Sequence, residues 1–178
     1  KHPYLLTSQE FSIINTINRR KVNVKQYYST TEYINAPTLD KIHNELNLNQ
    51  KLNIIIRICI VLDFLHYRGI VYRYLSPSNI FVLENNSVKI MDLANILESH
   101  INTNYDDLTR YFIAPEVILS QEDIISRDAD KYSLGMLMIY LLTNNFYSGN
   151  NVEYEYIDSE KLKDEQIEFL NETISNLI

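Results

Sequence analysis

From Asp130 to Thr143 the chain carries Leu134, Met136, Leu137, Ile139, Tyr140 and Leu142. At 3.6 residues per turn these leave no polar side on which a helix could face water. Such a helix is stable only when other elements surround it, so the chain must build its core around this segment. The segment falls short of the ~20 residues needed to span a bilayer. So does the longest apolar stretch, Ile54 to Leu65, which also carries Arg57 and Asp63, and neither a membrane span nor a signal peptide is legible. A chain of 178 residues can bury one core without disulfide or metal staples. Its 46% hydrophobic and 22% charged residues exclude disordered and collagen-like classes.

Around that centre, β-branched and aromatic residues form two runs, Phe11 to Ile17 and Val22 to Tyr33, divided by the polar Asn18-Arg19-Arg20-Lys21, which predicts an antiparallel hairpin. A short helix is expected after Pro37 with Thr38 as its cap. Asn47 with Gln50 three residues on predicts a capping box opening a long helix to about Tyr67, ended by Gly69. That helix is apolar around Ile55, Ile56, Cys59 and Leu62 and reads as buried, with Cys59 a core thiol. Ile80 to Leu83 and Val88 to Met91 predict a second small hairpin across Glu84-Asn85-Asn86-Ser87. Asn95 to Arg110 and Asn144 to Ser159 read as polar loops. Ile167, Leu170, Ile174, Leu177 and Ile178 fall at helical spacing and predict an amphipathic closing helix. Small sheet first and mostly helices after gives an α+β class.

Composition and spacing argue against several chemistries within these residues. With 16 Lys+Arg against 23 Asp+Glu the net charge is −7, which leaves no electrostatic footprint for a nucleic-acid backbone. The only glycines, Gly69, Gly135 and Gly149, are too far apart to build a glycine-rich phosphate loop. His2, His43, His66 and His100 have no metal-ligand spacing to one another or to Cys59. A single cysteine fits a reducing cytoplasm. The chain opens at Lys1 rather than Met and closes inside an apolar helical pattern, so it reads as part of something longer.

The chemistry-bearing stretch is Tyr72-Arg73-Tyr74-Leu75-Ser76-Pro77-Ser78-Asn79, followed by Asp92-Leu93-Ala94, Ala114-Pro115-Glu116 and Asp130-Lys131-Tyr132-Ser133-Leu134-Gly135. In this order and spacing it resembles the protein kinase family, whose signatures are H-R-D-L-x-x-x-N, D-F-G and A-P-E. The resemblance implies a protein kinase-like α+β fold, with residues 1–34 as partial small-lobe strands and hinge. Residues 35–178 would be a mostly helical large lobe truncated at its C-terminal end. It places Thr31 at the gatekeeper position, and the Glu32 carbonyl and Ile34 amide against the adenine of ATP. It also puts Phe81 under the base, and Asn79 and Asp92 as the Mg²⁺ ligands. The family's glycine-rich loop, strand lysine and glutamate partner would lie before Lys1. On the residues alone, Asn79 bonding loop backbone and Asp92 capping a turn is an equally good reading.

The departures from the family decide function. The catalytic aspartate that accepts the substrate proton, typically a ~10²–10⁴-fold contribution, is Tyr74 here. A phenol whose ordinary pKa is near ~10 is a poor base at neutral pH. Ser76 stands where a lysine steadies the transferring phosphoryl group. Tyr72, Leu93 and Ala94 replace histidine, phenylalanine and glycine. The resemblance therefore implies a pseudokinase, a regulatory or docking domain whose partner is another protein or another domain of the same polypeptide. The alternatives are a divergent active serine/threonine kinase and a ligand-free interaction domain. Thr109 matches a family threonine that bonds the missing aspartate and lysine. Thr103, Tyr105 and Thr109 are phosphorylatable, with Arg73 retained to grip a phosphate. The family partner of Glu116, an arginine, would lie past Ile178. Tyr147 to Tyr156 offers either a partner-binding edge or a set of half-buried loop anchors.

Overall fold

The computed structural model describes residues 1–17, 19, 23–91, 107–119, 125–146 and 162–178. Strands β1 (Ser8–Ile17) and β2 (Asn23–Thr31) form the expected antiparallel hairpin, in register from Ser8 opposite Thr31 to Ile17 opposite Asn23. Successive strand residues point to opposite faces. Ile13 and Ile14 are both exposed, and Phe11 is 68% exposed, so among the described residues each face of this hairpin carries an exposed apolar side chain.

A second hairpin, β3 (Ile80–Val82) with β4 (Val88–Ile90), is flanked by the segments that enter and leave the first. On one edge Leu6 N–H donates to the Ile90 carbonyl (2.9 Å) and Ile90 N–H to the Tyr4 carbonyl (2.8 Å). On the other, Val82 N–H donates to the Pro37 carbonyl (3.0 Å) and Thr38 bridges Phe81. Ile80, Val82, Val88 and Ile90 face the core, so period-2 alternation turns Phe81 and Lys89 together onto the other face.

The helical part contains α1 (Leu39–Ile42), α2 (Leu48–Tyr67), the single turns α3 (Asp107–Arg110) and α4 (Pro115–Leu119), α5 (Asp128–Thr143) and α6 (Asp164–Ser175). Helix α5 is the centre: every residue from Ser133 to Thr143 is buried. Its Gly135 gives the chain end room to approach, since a Cβ there would stand 2.5 Å from Ile178 Cγ2. Helix α2 opens on the predicted capping box. Gln50 N–H donates to Asn47 Oδ1 (3.0 Å) and Asn47 N–H to Gln50 Oε1 (2.9 Å). It ends in a Schellman motif at Gly69 (φ +74), with Ile70 N–H on the Leu65 carbonyl and Gly69 N–H on the His66 carbonyl, both 3.0 Å. Helix α6 buries Leu170 and Ile174 as the spacing predicts.

Three expectations are corrected. The inward face of α2 is Ile54, Ile55, Ile58, Val61, Leu62 and Leu65, so Ile56 and Cys59 lie on the outer side and Cys59 is exposed. An apolar composition around a helix does not say which stripe its neighbours cover. Thr38 occupies the N-cap of α1 without a side-chain cap bond, its backbone being paired with Phe81 instead. The described end of the predicted loop 95–110 is helical, and Thr109 within it is buried.

Candidate functional site

The loop from Gly69 to Asn79 is pinned from below by one side chain. Asp130, in the first turn of α5, is fully buried. A buried carboxylate must be matched by donors, and Asp130 meets three. Tyr72 N–H reaches Oδ2 at 2.8 Å, Arg73 N–H reaches Oδ1 at 2.6 Å, and His66 Nε2 lies 2.7 Å from Oδ2. Two consecutive amides can converge on one carboxylate only if the backbone turns sharply, and Arg73 does so at φ +70. For a residue with a Cβ that left-handed conformation costs ~1–2 kcal/mol, so the bonds to Asp130 are what hold it.

Above this anchor, the Tyr72 hydroxyl donates to the Met91 carbonyl, and its ring is fully buried. Tyr72 thus ties the loop to the end of β4. Tyr74 is also buried, at 4% exposed, within the hydrophobic core. Its backbone carbonyl accepts from Asn79 Nδ2 at 3.0 Å. That bond fixes the carboxamide of Asn79 and leaves Oδ1, a hard oxygen suited to Mg²⁺ or to a phosphate donor, as its remaining polar atom. Ser76 is 0% exposed, its hydroxyl 2.9 Å from that of Ser78. The Ser76 hydroxyl is thus shielded from solvent and spent on a neighbouring loop residue.

The third part of the site is the floor strand β3 and the linker after β2. Phe81 is half-buried on the same face as Lys89. Lys89 Nζ lies 2.7 Å from Glu32 Oε1, and the same oxygen accepts from Thr7 N–H at 3.0 Å. The lysine contact first, and then the Thr7 amide, hold the Glu32 carboxyl below its ordinary range. Thr31 closes β2 opposite Ser8 and is exposed, while Ile34 is half-buried in the irregular linker.

Of the residues singled out from the sequence, Glu32, Phe81 and Asn79 are brought around one small sheet. Glu32 joins through Lys89, and Asn79 through its carbonyl, which accepts from Met91 N–H at 2.9 Å. Met91 is the last described residue before Asp92, and Asp92, Thr103, Tyr105 and Tyr147 to Tyr156 lie outside the described residues. The sequence alone assigns no role to the side chains of Asp130 and Lys89. A signal existed for the first, because an acidic residue opening an all-apolar helix must find partners inside. For Lys89, nothing local points to Glu32. Among the described residues no helix is long and apolar enough to cross a membrane.

Residues 4–177 match the protein kinase domain family. The serine/threonine-protein kinase PknB of Mycolicibacterium smegmatis is 31% identical over 125 residues, which cover 65% of this chain and 20% of that protein. PknB of Mycobacterium tuberculosis is matched to the same extent. A cGMP-dependent protein kinase, isozyme 2, of Drosophila melanogaster is 43% identical over 89 residues, 48% of this chain and 9% of that protein. The chain thus corresponds to about a fifth or less of the length of these relatives.

Proposed function

Because the chain belongs to the protein kinase family, we propose that it is the kinase-like part of a pseudokinase that holds Mg²⁺ and ATP without transferring phosphate. Its action would be on another protein or on further domains of its own polypeptide, in the cytoplasm. The observation that carries this reading is Tyr74, which stands at the position of the catalytic base and is 4% exposed. A residue enclosed in the core cannot meet a substrate hydroxyl in a cleft, and its phenol is a poor base at neutral pH. The enclosed Ser76 adds to it, since no positive charge at that position steadies a transferring phosphoryl group.

Nucleotide binding is supported by what is retained. In this reading the Glu32 carbonyl and Ile34 amide hold the base, Thr31 borders it, and Phe81 lies beneath it. Asn79 Oδ1 and the Asp92 carboxylate hold Mg²⁺. The ion supplies charge neutralisation at the phosphates when bound, and the task of Asn79 is to keep its oxygen oriented through the bond to the Tyr74 carbonyl.

Two observations favour a second reading, a divergent active serine/threonine kinase. The contacts that hold the loop through Asp130, Arg73 and Asn79 are in place, and the PknB relatives are named serine/threonine-protein kinases. The deciding experiment incubates the full-length protein with radiolabelled ATP, Mg²⁺ and generic protein acceptors, beside the Asp92→Ala variant, and records melting temperature with and without Mg·ATP. The pseudokinase reading expects a Mg²⁺-dependent rise in melting temperature that Asp92→Ala abolishes, with no label transferred. Transfer that Asp92→Ala removes would establish the active kinase instead. No melting shift at millimolar ATP would leave a ligand-free interaction domain.

A further inference from the structure

The hairpin β1–β2 carries exposed apolar side chains on both faces, and its two ends are joined to each other at one point. Glu32 N–H donates to the Thr7 carbonyl (3.2 Å), and Thr7 N–H donates back to Glu32 Oε1 (3.0 Å), so residues 7 and 32 clasp the hairpin where it enters and leaves the rest of the chain. Lys89, on the floor strand β4, reaches up to the same oxygen at 2.7 Å. The side chains are 17% and 31% exposed, so the pair is screened less than a free surface pair. Lys89 lies opposite Phe81 in the ladder. A cation on the floor strand, a carboxylate on the linker and an amide on the incoming segment therefore meet at one atom.

We propose that Lys89 is a positioning residue which, through Glu32, tethers the linker from Thr31 to Ile34 to the β3–β4 floor, on which Phe81 is its cross-strand neighbour, so that the hairpin and the helical body move as one unit. The tether sets the separation between linker backbone and floor, which is the gap a flat base would enter. A carboxylate released from Lys89 is free to turn to solvent, and the Thr7 amide then loses its acceptor. The tether follows from the three contacts alone, whereas the positioning role rests on the nucleotide reading given above.

Residue-resolved amide exchange on the full-length protein without nucleotide tests the tether, comparing wild type with Lys89→Met, Lys89→Arg and Lys131→Met. The last removes an exposed ion pair to Asp128 elsewhere. Thr7 should exchange roughly tenfold faster in Lys89→Met, as expected for a lost bond to a charged acceptor. Lys89→Arg should stay near wild type, Lys131→Met should leave Thr7 unchanged, and α5 amides should be unaffected throughout. Unchanged Thr7 protection in Lys89→Met, an arginine that behaves like methionine, or equal acceleration throughout α5 would each overturn the tether. Titration with Mg·ATP tests the positioning role, with affinity expected to fall several-fold in Lys89→Met and to return in Lys89→Arg; equal affinities would overturn it. Absence of binding in wild type overturns the nucleotide reading and the positioning role with it, while the tether stands or falls on exchange alone.

Discussion

Replacing Asp130 removes the anchor of the loop from Gly69 to Asn79, and the size of the loss can be worked from its contacts. The carboxylate is fully buried and accepts from two backbone amides at 2.8 and 2.6 Å, with His66 Nε2 at 2.7 Å. Hydrogen bonds to charged groups contribute ~1.5–3 kcal/mol each, but they do not add when one side chain is lost, and breaking a buried charged cluster costs ~3–5 kcal/mol. Relaxation of Arg73 from φ +70 returns ~1–2 kcal/mol. Asp130→Ala should therefore destabilise the protein by about 3 kcal/mol, a large share of the ~5–15 kcal/mol typical of a domain. Asp130→Asn keeps the shape and one acceptor oxygen but turns an amino group toward an N–H, and should cost about 2 kcal/mol. Urea unfolding with an unchanged slope measures both, and for a chain of this length 1 kcal/mol corresponds to a melting shift of ~2–4 °C. The Tyr72 and Arg73 amides should lose exchange protection in step. A loss under about 1 kcal/mol in Asp130→Ala, with both amides still protected, would refute the anchoring argument.

Further outcomes follow from local geometry. Gly69→Ala meets open space but must adopt φ +74, so it should lower stability by about 1 kcal/mol in urea unfolding, from backbone strain alone. Tyr72→Phe retains the buried ring but leaves the Met91 carbonyl without its hydroxyl donor; a loss of about 1–2 kcal/mol is expected, measured the same way. The Glu32 carboxyl is held below its ordinary 4.5 by Lys89 and the Thr7 amide, so the unfolded chain takes up a proton before the folded protein does. The pair's contribution is thus fully present above pH about 4.5 and fades as pH falls through the lowered folded value. For partly exposed groups it amounts to less than about 1 kcal/mol. Unfolding free energies of wild type and Lys89→Met should converge as pH drops from 5 to 3, and parallel profiles would contradict the assignment.

What could be read without the structure was local or periodic. Asn47 and Gln50 sit within one helical turn, so their reciprocal caps follow from spacing. Gly69 ends α2 because a left-handed residue is needed there. The run from Leu134 to Leu142 demands burial on every side wherever it lies. The ordered motifs from Tyr72 to Gly135 carried the family, and with it the α+β architecture, because they mark loops whose place in that fold is known. Which residues face each other across the fold was a different matter. Ile56 and Cys59 differ in no local respect from Ile55 and Ile58, and only the packing of neighbouring elements turned the first pair outward. The convergence of His66, Tyr72 and Arg73 on Asp130, and of Thr7 and Lys89 on Glu32, joins residues 25 to 64 positions apart. The sequence by itself determined the long helices α2, α5 and α6, the hairpins and the identity of the replaced residue Tyr74, because propensity, capping and motif order act over a few neighbours. Only the tertiary structure decided that Tyr74 and Ser76 are enclosed, that Asp130 bears the loop and that Lys89 holds the linker. Burial and charge pairing depend on which distant elements arrive at the same place.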